Sequence, residues 1–378
     1  MSRPNMFSHA GLRHSLSVFL IGLLFFSLSA MDVLAKKSQK KWDYKRDVKI
    51  DLLYGATYDN NAMAFSDYDL DRFDDGTLPL VTEVETYDDL YHNLGVKFGV
   101  HTPKILGNRK GYLSYTYSYR AHTKNQFLDR STHTLYGRHD LVKRVDLFGT
   151  YIFIPNRYLR DYYDKDHGRV AATEFAYRLG SVGTRFSVKQ LKGFTFALRY
   201  DFYTIYYNPL FTEYDAEGYG IRFDTNYRVN SNLRLSLILK RRWTDNVGFE
   251  ANNDAVGVID DIDSEYGDGS NGEEWYEFGA RYTIKEKFGR DFNVNVYARL
   301  RYRFYTSDLS IEDDPFHRSR EHWMNRYHVD VSTKVMKNLR VSPFFELETR
   351  RTDSPLDRVK DVKDYDTFRT GMNFTYSF

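Results

Sequence analysis

The sequence predicts an all-β fold, a transmembrane antiparallel up-and-down barrel of about 14 strands within a range of about 12 to 16. Three observations predict it. From residue 48 onward, runs alternating between apolar and polar positions recur, each bounded by a polar turn, and alternation every second residue is the mark of a strand with two unlike faces. The chain holds 32 Tyr and 28 Phe against 8 Pro, a bias that suits both strand formation and the aromatic girdles of a membrane-embedded sheet. The connections also alternate, short after one strand and long after the next. That alternation places all tight turns at one end of a barrel and all long loops at the other.

The chain opens with Arg3, Arg13 and His14, then an apolar run from Leu16 to Leu28, then small residues. This reads as an export signal, with cleavage expected after Val33-Leu34-Ala35, so that residues 1–35 are a signal peptide. Residues 36–47 form a short basic segment, and 48–378 the barrel. There is no Cys, which excludes a lipid-anchored cysteine and disulfide bonds. Beyond the signal no stretch approaches the roughly 18 apolar residues that a spanning helix needs. The mean hydropathy of −0.60 is compatible with strands that offer only every second residue to lipid. A formal charge of +2 names no partner.

Taken in order, the first strand shows Val48, Ile50, Leu52, Tyr54, Ala56 and Tyr58 on one face and ends in Tyr58-Asp59-Asn60-Asn61. An acidic segment, 66–85, separates it from a second strand carrying Leu90, Leu94, Val96, Phe98 and Val100. The third has Leu113, Tyr115, Tyr117 and Tyr119; the fourth, 132–139, is the poorest; the fifth has Val145, Leu147, Tyr151 and Phe153. The sixth starts on Phe175, Tyr177 and Leu179 and then changes phase to Val182, Phe186 and Val188, which predicts a bulge at Gly180. From Phe194 the alternation sharpens through eight further strands, the last holding Phe368, Met372, Phe374, Tyr376 and Phe378 on one face. No 3.6-residue period is expected to compete after residue 36.

If the apolar faces meet lipid, the alternate positions line a lumen. Its basic candidates are Arg199, Arg222, Arg228, Arg281, Arg299, Arg301, Arg303 and Arg326, interspersed with Asp201, Asp224, Asp330, Glu346 and Glu348. Two outcomes are open: a water-filled pore favouring anions, or a lumen in which arginines and carboxylates pair across the ladder. The segment 243–280 is rich in acids and has no Lys or Arg between its ends, Glu273 and Glu274 being among the acids, and a smaller cluster spans Asp67 to Asp75. Neither has the spacing of a calcium loop, so solvated acidic loops and no metal are expected. His133, His139, His317, His322 and His328 accompany no Ser in a recognisable catalytic arrangement, and there is no phosphate-binding glycine loop. The expectation is no enzyme, no cofactor and no nucleic-acid partner.

The final aromatic strand, with Phe374, Tyr376 and Phe378, resembles the closing strand of porin-like bacterial outer-membrane β-barrels, and Tyr58-Asp59-Asn60-Asn61 resembles a Tyr-Asp-Asp-Asn ending found on first strands of uncharacterised members. The resemblance implies a place in the bacterial outer membrane among lipid and lipopolysaccharide. It also implies that the barrel-assembly machinery reads those three aromatics as its signal. The expected function is a passive pore for small, anionic solutes. The alternatives are a non-conducting structural or secretion-associated barrel, partnered through residues 36–46, and a barrel hydrolase.

Overall fold

The computed structural model describes residues 47–378, apart from 79–83, 103–108, 158–161, 165–168, 172–175, 189–192 and 252–266. The expected signal peptide and nearly all of the basic segment lie outside them. Fourteen antiparallel strands, each hydrogen-bonded to its neighbours in the chain, close on themselves where the first meets the last. They are β1 (Val48–Asp59), β2 (Asp89–Thr102), β3 (Gly111–His122), β4 (Arg130–Val142), β5 (Val145–Ile154), β6 (Tyr177–Val188), β7 (Phe194–Tyr207), β8 (Ala216–Arg228), β9 (Leu233–Asp245), β10 (Asn271–Lys287), β11 (Arg290–Tyr305), β12 (Glu321–Lys334), β13 (Leu339–Asp353) and β14 (Tyr365–Ser377). A separate two-stranded ladder, Tyr162–Asp164 with Arg169–Ala171, stands in the connection after β5.

The distribution of residues is the reverse of that in a soluble domain. Leu52, Leu94, Phe98, Tyr200, Phe278, Val296 and Tyr327 are among the large apolar side chains left exposed, while Asp59, Asp146, Asp224, Glu273 and Glu348 are buried. Water-exposed apolar surface on this scale is unfavourable, whereas the same residues facing hydrocarbon, with every strand paired and no open edge, satisfy what a bilayer demands. Phe374 and Tyr376 lie on this outer face beside Tyr54 and Leu52, and Phe378 packs edge-on against Tyr376 at 5.0 Å.

Two sequence expectations are corrected. The sixth strand has no bulge at Gly180: its register runs unbroken against β5 and β7. The pairing instead turns Tyr177 and Leu179 inward on a regular strand, where Tyr177 meets Tyr207 at 5.8 Å. The apparent change of phase is a change of which face is aromatic, which a one-dimensional pattern cannot separate from an inserted residue. The register shifts that do occur sit beside tight turns, between Asp140 and Val142 and between Ile284 and Lys287. Helices are also present. α1 (Asp67–Asp74) forms within the acidic segment, α2 is Val247–Ala251 and α3 is Asp357–Lys363. What makes α1 is capping rather than an apolar period: Ser66 and Asp69 exchange side-chain-to-backbone bonds, Asp67 and Asp69 occupy the first turn and Arg72 the last.

The loops at the long-loop end fold against one another. α1 packs on α3. The Gly248 N–H donates to the Asp215 carbonyl at 2.9 Å, drawing α2 onto the turn after β7. A Cβ there would lie 1.8 Å from the Thr212 carbonyl oxygen, so only glycine fits. Asp314, completely buried, accepts from the Asp268 backbone at 3.0 Å and contacts His317 Nδ1 at 2.9 Å. Burial would push the Asp314 carboxyl up, but His317 and the other donors around it hold it below its ordinary value. Phe211, Phe249, Phe316 and Val359 are buried among these loops.

Candidate functional site: the charged lumen

The strands place the sequence-predicted arginines on the inner face, and the register decides their partners. Arg199 and Arg222 stand directly opposite each other on β7 and β8. Asp224, two residues along from Arg222, meets Arg199 Nε at 3.0 Å and Arg222 Nη2 at 2.7 Å. Arg299 and Arg326 are likewise opposite on β11 and β12. Glu277 accepts from Arg299 at 2.6 Å, while Arg326 donates to Glu348 and lies 3.8 Å from Glu346. Like charges facing each other across a ladder are destabilising, and here each such pair has carboxylates beside it: Asp224 diagonally across from Arg199, Glu277 directly opposite Arg299 and Glu348 directly opposite Arg326. Arg228 and Arg281 belong to a different environment. They flank Arg234 at the short-turn end, and all three are exposed, so water screens their repulsion.

Arg301 and Arg303 share an unexpected partner. The fold extends the tenth strand back to Asn271, which moves Glu273 and Glu274 out of the supposed loop and into the sheet. Glu273 then faces the lumen and takes Arg301 Nε at 2.6 Å and Arg303 Nη2 at 2.9 Å. Trp275, one inward position further, lies 5.2 Å beneath both Arg299 and Arg301. Lys240 Nζ lies 4.5 Å from the centre of the same residue's ring. Glu274 points outward and pairs with Arg241 at 3.0 Å. The acids of 252–266 lie outside the described residues. No group of three or more acids, His or Cys that could hold a metal occurs among the described residues.

A second network closes the barrel. Asp59, at the end of β1, accepts from Thr367 Oγ1 at 2.7 Å and Arg369 Nε at 2.7 Å on β14. Asn60 Oδ1 accepts from the Phe368 N–H at 2.5 Å, and Asn61 Nδ2 donates to the Asp366 carbonyl at 3.1 Å. Arg369 also reaches Glu346 at 3.0 Å, joining the seam to the ladder of β12 and β13. The sequence pointed to this motif by resemblance only; its physical role is to tie the first strand to the last.

Sequence reasoning missed the opposite wall. Arg120 on β3 and Arg130 on β4 are directly opposite and face inward, and Arg157 follows β5. Their signal was present but weak, because the fourth strand lacks clean alternation. His328, stacked on Tyr297 at 4.8 Å, sits between Asp330 and Glu346, 3.5 and 3.3 Å away, and so takes part in pairing.

The fold and this interior together define a transmembrane β-barrel with an apolar exterior and a densely charged lumen. No known protein family matches the sequence, and no curated protein is similar enough to be a relative. Solved outer-membrane structures share the architecture at low identity. A bacterial polysaccharide outer membrane secretin is 9% identical, with 89% of this chain and 100% of that one covered and a TM-score of 0.43. OccAB3 of Acinetobacter baumannii is 14% identical over 88% and 100%, with a TM-score of 0.42. OpdK of Pseudomonas aeruginosa, solved with vanillate, is 10% identical over 88% and 99%, with a TM-score of 0.41. These likenesses concern strand architecture alone.

Proposed function

We propose that the chain is an outer-membrane pore that passes small solutes and favours anions. The observation that carries this reading is the two-sided wall: large apolar residues exposed outside, ionised residues inside, in a closed sheet. Eight strands leave room only for their own side chains, and sixteen to eighteen leave an aqueous channel; fourteen lie between and leave space that the lining must define. The anion preference rests on stoichiometry along the wall. Glu273 serves two arginines and Asp224 serves two, so the wall beside those two carboxylates carries more arginine than its partners offset, and a low-dielectric wall focuses that charge onto passing solutes. Catalysis has no part in this reading.

A second reading has its own support. The ion pairs along the ladder and the loops folded together at one end suit a structural barrel that carries no current. Single-channel recording in a planar bilayer decides between them. The pore reading expects conductance with a reversal potential, under a salt gradient, on the anion side; absence of current overturns it in favour of the structural barrel.

A further inference from the structure

We propose that Arg120 and Arg130, with Arg157 beside them, form a binding site for a small oxyanion, a carboxylate or a phosphate, on the lumen wall near the long-loop end. This site gives the proposed anion preference a location and so rests on that reading. Arg120 and Arg130 are a direct cross-strand pair, so their Cα atoms are about 4.5–5.5 Å apart and their side chains share one face. Elsewhere the inward-facing arginine pairs either have a carboxylate set against them or stand exposed in water. This pair is half-buried, and neither member has an ion-pair partner among the described residues.

The surrounding groups hold the guanidiniums without neutralising them. Arg120 lies 4.2 Å over the Tyr91 ring and donates Nε to Asn93 Oδ1 at 3.3 Å. Both are uncharged contacts that leave its terminal N–H groups free. Arg157 lies 5.9 Å from the Tyr177 ring centre, and its Nε is buried without a hydrogen-bond partner. The three charges are close enough to act on one another. The nearby carboxylates are committed elsewhere: Asp59 to Arg369 and Thr367, Asp89 to the backbone N–H groups of 123–125, and Asp129 to Tyr119 and the His122 backbone. A guanidinium pair with terminal N–H groups to offer and no ion-pair partner is suited to the flat, multiply accepting face of an oxyanion.

The test is calorimetric titration of the detergent-refolded barrel with inorganic phosphate and, separately, with succinate. Heat with only one of them assigns the site to that class of anion. Arg120→Gln with Arg130→Gln should lower the affinity by about tenfold or more, as expected for loss of charge-assisted bonds. The paired Lys variants keep the charge and should keep most of the binding. Arg234→Gln with Lys285→Gln, which removes equal charge from the far end of the lumen, should leave it unchanged. Faster migration before boiling than after confirms that each variant is folded. Unchanged affinity in the Gln pair, or no binding of either anion by the native barrel, overturns the site. A barrel that binds through these arginines but carries no current supports the site and removes the pore. One that conducts without binding does the reverse.

Discussion

Glu273 of β10 accepts hydrogen bonds from Arg301 and Arg303 of β11, so a single carboxylate, 5% exposed at its side chain, holds two guanidinium groups. Glu273→Gln keeps the shape and removes the charge, leaving two neighbouring cations with no counter-ion. The expected result is a folded barrel weakened by roughly 1–3 kcal/mol, measured by urea unfolding from liposomes. The reversal potential should also move further toward anions. Native stability combined with native selectivity would show that the arginines do not depend on Glu273.

The closure seam is expected to depend on Asp59. Asp59→Asn removes the charge facing Arg369, which keeps Glu346 at 3.0 Å, so the loss should be partial, about 1–2 kcal/mol. On gels of unboiled samples the compact form should convert to the extended form at a lower temperature than native protein. Asn61→Ala, which frees the Phe65 and Asp366 backbone groups, should act in the same direction. If neither changes the conversion temperature, the motif does not secure the seam.

The assignment of faces gives a third expectation. Leu237 lies between Thr225 and Phe278 on the outer surface, and Ser236 faces inward. Leu237→Arg should cost roughly 2–4 kcal/mol if it lies near the bilayer midplane, and Ser236→Arg far less. Folding into liposomes against denaturant measures both. Equal costs would reject this orientation of β9.

Much of the architecture was legible because strand alternation is a local property. Leu233, Leu235, Leu237 and Leu239 announce their face without reference to any other strand, and the spacing of turns shows the end at which long loops gather and brings the count to about 14 within a range of about 12 to 16. Where the local signal was mixed, as around Tyr177 and Leu179, the reading erred, because inward aromatics and an inserted residue look the same along one strand. α1 was missed for a related reason: a capping box of a few polar residues makes a short helix without any apolar period.

The sequence by itself determined the strands, their two faces and the wealth of arginine on the inner one. Only the tertiary structure decided which of those charges are neutralised. That depends on cross-strand register, which sets residues from distant stretches opposite one another: Glu273 against Arg303, Asp59 against Arg369, Arg120 against Arg130. Electrostatic energy falls off over a few ångströms in such a wall. Partnership, and with it the site that remains open to an anion, is therefore a property of the closed sheet.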